Sequence, residues 1–315
     1  MHTLETSSFR TAIHVLQQAS MTWRERVPTS LPLGGSGWAT TMACLFEATA
    51  PKPGNVHCNA AFPDLSYEDL TAAAMAIGPV FENDKKKRLG EVILDAVQET
   101  RLVTDSNANL GIILSIAPLS VINRSIWLRA MEPDFVLLLS SEVSSFLKNL
   151  GPQDSREIWS AIALAQPGGL GSVQQHDLSG PPPQNIVSAM LAAAERDHIA
   201  KMWSIGYSDV LADVISDLTH NLSKSDNWRL GIVDAFMRQL ARSPDSHIAR
   251  RHGEKVALNV SAQAAAILKT NGIENSHVLQ GFDRSLRVPV RINPGTTADL
   301  IATALYIILR SPLNA

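Results

Sequence analysis

Helical periodicity along the whole chain, a scarcity of strand-like segments and helix-breaking residues gathered into a few loops predict an all-α fold. The expected architecture is a compact array of ten or more helices around one large core. The clearest stripe is Leu89, Val92, Ile93, Ala96 and Val97, spaced i, i+3, i+4, with Glu91, Asp95 and Glu99 mostly outside it, as one amphipathic helix requires. Val210, Leu211, Val214, Ile215 and Leu218 repeat the pattern mid-chain, and Leu300, Ile301, Ala304, Leu305, Ile308 and Leu309 repeat it near the C-terminus. Ser66-Tyr67-Glu68-Asp69 has the form of a capping box opening an Ala-rich helix, which Gly78-Pro79 is expected to interrupt or kink. Val288 to Ile292 alternates weakly, but a single short strand has nothing to pair with. No fixed-period repeat points to a solenoid.

Gly, Pro and Asn concentrate in four loops, Pro28 to Gly37, Ala50 to Ser66, Gln166 to Pro183 and Asn293 to Thr297. The expected organisation is a single domain over 1–315 with a weak seam near 166–185. With 315 residues, 45% hydrophobic and 18% charged, the chain has the composition of a folded globular protein. A net charge of −3 supplies no broad basic field for nucleic acid or an anionic membrane, so a phosphate site must be local. Two cysteines, Cys44 and Cys58, suit a reducing compartment, here the cytoplasm, and are expected as buried thiols. Met1 to Gln18 lacks the long apolar run of a signal peptide. The most apolar stretches, Leu110 to Ile122 and Leu300 to Leu309, are shorter than the ~20 residues that span a bilayer.

Phosphate-binding glycine fingerprints, a zincin motif and a serine-hydrolase elbow are all absent. Four polar segments beside helices remain. In the first, Glu47 leads into Pro51-Lys52-Pro53-Gly54-Asn55-Val56-His57, where a rigid turn presenting the Lys52 ammonium, the Gly54 backbone, Asn55 and His57 suits a polyphosphate; Pro-x-Pro-Gly equally makes an ordinary sharp turn. In the second, Asn107 and Asn109 precede an apolar helix and serve either as caps or as amide ligands for a base or ribose. In the third, Asp245 to Gly253, a helix beginning near Asp245 gathers Asp245, His247, Arg250 and Arg251, with a capped helix and solvated basic end as the plainer reading. His247 and His252 are five apart, which does not suit a helical zinc pair. In the fourth, Gly295, Thr296 and Thr297 form an anion nest or an ordinary N-cap at a buried helix, and Asp299 is placed to carry a metal or receive a hydroxyl proton. Asp209, Asp213 and Asp217 share one helix face and need solvent or a cation; Mg²⁺ held by Asp209, Asp213 and Asp299 is one reading. His176-Asp177, near Gly168-Gly169-Leu170-Gly171, is a candidate lid.

Taken in order, from about residue 38 to 310, these segments resemble the triphosphoribosyl-dephospho-CoA synthase family. Glu47 with Pro51-Lys52-Pro53-Gly54 is similar to its Glu…Pro-Lys-Pro-Gly segment, Asp245 to Gly253 to its Asp-x-Asn-Ile-x-x-Arg-x-Gly segment, and Pro294 to Leu300 to its Pro-Gly-Gly-Ser-Ala-Asp-Leu. His247 stands for the Asn and Thr296 for the second Gly. The family's Asn-Thr-His-Lys-Gly segment reads Asn107-Ala108-Asn109-Leu110-Gly111 here. The resemblance implies an α-helical transferase that moves the 5-triphosphoribosyl group of ATP to the 2′-hydroxyl of 3′-dephospho-CoA with release of adenine. It implies Glu47 and Asp245 as catalytic carboxylates and Lys52, Arg250, Arg251 and Mg²⁺ around the triphosphate; a homodimer is compatible with it. Pentosyl or phosphoribosyl transfer to another cofactor precursor, a non-catalytic nucleotide-binding subunit and Mg²⁺-dependent nucleotide hydrolysis are the competing functions.

Overall fold

The computed structural model describes residues 5–26, 31–82, 87–166, 178, 180–224, 227–270 and 272–312. Sixteen helices run through them: α1 (Thr6–Arg26), α2 (Ser36–Thr49), α3 (Tyr67–Glu82), α4 (Leu89–Val103), α5 (Leu110–Ser120), α6 (Arg124–Trp127), α7 (Phe135–Leu147), α8 (Pro152–Ala165), α9 (Ile186–Ala193), α10 (His198–Ile205), α11 (Ser208–Lys224), α12 (Trp228–Arg242), α13 (Ser246–His252), α14 (Glu254–Lys269), α15 (Ser276–Arg287) and α16 (Gly295–Arg310). Two isolated bridges, His57 with Ala60 and Phe62 with Leu65, are the only β pairing among the described residues. Val288 to Ile292 is a bend without a partner strand.

Three helices are apolar nearly all round, and such helices belong in the centre. Thirteen of the 14 residues of α2 are buried, as are 13 of the 16 in α16 and 10 of the 11 in α5. The two others pack on α16, and amphipathic helices such as α3, α4, α11 and α12 surround the three. Buried apolar residues from Phe9 to Leu309 form one contiguous cluster. No described helix is long and apolar enough to cross a membrane.

Ser66 and Asp69 form the expected capping box: the Asp69 carboxylate accepts from the Ser66 backbone N–H at 2.8 Å, and the Ser66 Oγ accepts from the Asp69 N–H at 3.0 Å. The expected break at Gly78-Pro79 does not occur, because α3 continues through Pro79 to Glu82. Gly78 instead lets two helices touch. A Cβ on Gly37 of α2 would lie 2.1 Å from the Gly78 carbonyl oxygen, and a Cβ on Gly78 would lie 2.2 Å from Thr41 Oγ1. Gly295 to Thr297, expected in a loop, form the first turn of α16. Cys44 is buried as expected, whereas Cys58 is exposed on the loop after α2.

Candidate active site

The C-terminal end of α2 meets the N-terminal ends of α5 and α16 at a cleft of about 1980 Å³. These ends supply Glu47, Asn109 and Asp299 to its lining, while α13 adds His247, Arg250 and Arg251. A helix C-terminus carries partial negative charge, so Glu47 sits at an unfavourable end. Lys52 compensates. Its Nζ lies 2.9 Å from Glu47 Oε1 and also donates to the carbonyls of Glu47 and, at 3.2 Å, Ala50. An ammonium has three N–H donors, and these three acceptors use them all.

The expectation that Lys52 offers its charge to a phosphate is therefore not met. Its side chain is fully buried behind Glu47 and holds the carboxylate and the last turn of α2 together. Lys52-Pro53-Gly54-Asn55 is a β-turn closed by the Asn55 N–H on the Lys52 carbonyl at 3.1 Å, with proline second and glycine third, the residues that type II geometry favours. Gly54 has φ +76°, and its N–H donates to Asp283 Oδ1 at 2.8 Å. The Gly54 amide is thus occupied, contrary to the phosphate-loop expectation.

Asn55 does reach the cleft, where its Nδ2 donates to Asn293 Oδ1 and its own buried Oδ1 has no partner. Asn109 presents the complement: Oδ1 accepts from Thr100 Oγ1 at 3.0 Å, and the buried Nδ2 is unpaired. Asn107 lines the same wall and accepts from the Leu110 N–H at 3.3 Å, which makes it a cap as well as a lining residue. His57 lies outside the lining. It is buried, it pairs through its backbone with Ala60, and desolvation, with Arg287 and Lys52 nearby, lowers its pKa to about 4.

Asp245, expected as a catalytic carboxylate, points away from the cleft. One oxygen caps α13 through the Ile248 N–H at 3.0 Å; the other accepts from the Thr297 N–H and Oγ1, each at 2.7 Å. Burial pushes its carboxyl up while these donors pull it down. Thr297 is spent on the same contact, so neither residue contacts the cleft. Asp245 and Thr297 fasten the start of α13 to the start of α16 and leave His247, Arg250, Arg251, Gly295, Thr296 and Asp299 on the cleft side. Thr296 Oγ1 accepts from Ser246 Oγ at 3.0 Å, and Arg250 is paired with Asp197 at 2.9 Å. Burial, with Arg250 and Arg251 beside it, lowers the His247 pKa to about 3 and holds the ring neutral.

Asp299 shares the cleft with Glu47. Burial, the charge of Glu47 and then that of Asp245 raise its pKa well above the carboxylate range. Gly111 lies directly against it, since a Cβ there would fall 2.0 Å from Asp299 Oδ2. The expected metal role of Asp213 is not supported by its position. Asp213 and Asp217 face Arg242 at 3.2 and 2.5 Å, so the cation their face needs is a guanidinium. The side chain of Asp209 and all of His176-Asp177 and Gly168 to Gly171 lie outside the described residues. Among the described residues no three His, Cys, Asp or Glu side chains converge as a metal cluster.

Other cleft residues had no motif to announce them. Arg291 reaches it from the chain before α16 and pairs with Asp64. Trp159 and Ile162 of α8, with Ile186, Ala189 and Met190 of α9, form an apolar wall.

Residues 36–314 match the family described as CitG: ATP:dephospho-CoA triphosphoribosyl transferase. No curated protein matches the chain. A solved structure from Archaeoglobus fulgidus, named as a triphosphoribosyl-dephospho-CoA synthase, is similar in fold with a TM-score of 0.57 and 20% identity, covering 76% of this chain and 98% of that one. With most of its length matched and its Glu47, Asn109, His247 and Asp299 segments meeting in one cleft, the chain is a transferase that belongs to the ATP:dephospho-CoA triphosphoribosyl transferase family.

Proposed function

We propose that this cleft binds ATP and 3′-dephospho-CoA together and joins them through Glu47. The acceptor's 2′-hydroxyl attacks C1′ of the ATP ribose as the C1′–N9 bond breaks, leaving the triphosphate on the transferred sugar. Glu47 takes the hydroxyl proton and stabilises the positive charge that grows on the ribose. Adenine departs carrying one proton more than it held in ATP, so protons balance. The observation that carries this reading is the Lys52–Glu47 pair: a carboxylate held in place at the floor of a cleft by a buried ammonium whose donors are all engaged.

The other lining groups suit the two nucleotides. Asn55 Oδ1 and Asn109 Nδ2, an acceptor and a donor left unpaired, match the donor–acceptor edge of a purine. Arg250, Arg251 and Arg291 supply cationic contacts for phosphates. Mg²⁺ is proposed to accompany the triphosphate, and oxygen donors at this end of the cleft fit it: Asp299 is a carboxylate crowded by Glu47, and a hard cation takes one or two carboxylates with phosphate and water oxygens. Bound there, the ion would neutralise phosphate charge. With Asn for His and Leu110 for Lys in the second segment, another hydroxyl acceptor is the alternative reading. Two cysteines place the reaction in a reducing, cytoplasmic setting.

The test is chromatographic detection of free adenine from ATP and Mg²⁺, with and without 3′-dephospho-CoA. Adenine that forms only with the acceptor is the expected result. Phosphate without adenine would replace this reading with hydrolysis, and ATP binding without either product would replace it with a silent nucleotide site.

A further inference from the structure

The cleft is larger than one nucleotide needs, and its two ends differ in chemistry. Sites for small molecules usually enclose about 300–1,000 Å³, against about 1980 Å³ here. The end at Glu47 and Asp299 carries the amides and cations. The other end is walled by Trp159, Ile162, Ile186, Ala189, Met190 and Leu191, apolar but for one indole nitrogen. Trp159 is 8% exposed, and its Nε1 is buried without a hydrogen-bond partner. Native folds rarely leave such a donor unmet.

We propose that this apolar end is the subsite for the pantetheine arm of the acceptor, the extended chain of methyl-bearing carbon and secondary amides that distinguishes dephospho-CoA from a plain nucleotide. The assignment rests on the function proposed above and adds the acceptor's position to it. A chain of this kind asks for apolar walls and for donors to its amide carbonyls, which is what α8 and α9 offer: five aliphatic side chains and the Trp159 N–H. A purine is the less fitting occupant, because its edge needs donors and acceptors together, and the unpaired amides of Asn55 and Asn109 provide them at the opposite end. With adenine and triphosphate at the carboxylate end, the acceptor's ribose lies between the two ends and its arm runs away from the cations.

The test is calorimetric binding at saturating ATP and Mg²⁺ in a Glu47→Gln background that stops turnover, with two probes. Dephospho-CoA carries the arm; ADP has the same adenosine diphosphate portion without it. Dephospho-CoA is expected to bind at least tenfold more tightly than ADP. Trp159→Phe, which keeps the ring and removes the N–H, is expected to weaken dephospho-CoA about five- to tenfold and to leave ADP unchanged. Leu191 is 58% exposed, so Leu191→Glu tests the same wall without a buried substitution and is expected to give the same selective loss. Equal binding of the two probes, or equal losses for both in the variants, would overturn the subsite; so would a Trp159→Phe defect confined to ATP, which would put adenine there instead. If the unmutated enzyme releases no adenine while the selective losses persist, the reaction reading fails and the subsite stands.

Discussion

Lys52 Nζ stands 2.9 Å from Glu47 Oε1 in a fully buried position, five residues along the chain, and the turn between them bends the ammonium back under the helix that carries the carboxylate. A buried charge left without its partner is strongly destabilising, by about 3–5 kcal/mol. Lys52→Met is therefore expected to lower the melting temperature and to reduce kcat far more than it raises KM for ATP, because the residue positions the base and never meets the phosphates. A loss confined to KM for ATP, with kcat intact, would return Lys52 to the phosphate role.

Glu47→Gln preserves size and keeps an oxygen for Lys52. The fold and ATP affinity should survive, while adenine release falls by about 10²–10⁴, the range that a general base contributes. Unchanged turnover in a rapid-quench assay would remove Glu47 from the chemistry.

Gly111 separates positioning from folding. It lies in α5, where Gly→Ala ordinarily stabilises a helix by about 1 kcal/mol, yet the added methyl would occupy the space of Asp299 Oδ2, 2.0 Å away. Gly111→Ala is expected to melt within a few degrees of the unmodified protein and to lose at least tenfold in kcat/KM as the Asp299 side chain is displaced. Full activity in the alanine variant would show that the position of Asp299 is unimportant.

The helical fold was legible because its signal is local and repeated: the stripe from Leu89 to Val97 lies on α4, and the one from Leu300 to Leu309 lies on α16. Site chemistry was legible only as residue type. Glu47, Asn55, Asn107, Asn109, His247, Arg250, Arg251, Gly295, Thr296 and Asp299 line the cleft, whereas Lys52, Gly54, Asp245 and Thr297 come from the same segments and point elsewhere. A sequence states that a carboxylate is present but not which hydrogen bonds claim it, and Thr297, 52 residues away, claims Asp245. Trp159 was invisible for a related reason. Its indole sits on an ordinary amphipathic helix, and only the packing of α8 beside α9 makes it a wall.

The Asp245 clasp carries a stability prediction of its own. Its two oxygens hold an N-cap and two donors of Thr297, in a place where no water can replace them. Asp245→Ala is expected to cost about 2–4 kcal/mol in denaturant unfolding. Asp245→Asn recovers only part of this, because its NH₂ faces the Thr297 N–H with a donor where an acceptor is needed. Equal stability of the two variants would mean that the α13–α16 contact carries no energy.

Acid should unfold the protein through histidines before it titrates most carboxylates. His57, His247 and His198 are buried with pKa values below the ordinary 6.5, to about 4 for His57 and about 3 for His247, each chiefly by desolvation. In the unfolded chain they bind protons below pH 6.5, while the folded state refuses them until near pH 4 or lower. The unfolded state thus holds more protons in that window, and stability falls as the pH drops through it. The melting temperature is expected to be level from pH 8 to 7 and to decline steadily from pH 6.5 to 4.5. His57 lies outside the cleft, so His57→Gln should flatten that slope without changing the ATP affinity. A variant as acid-sensitive as the parent would mean that His57 accepts its proton without opening the loop after α2.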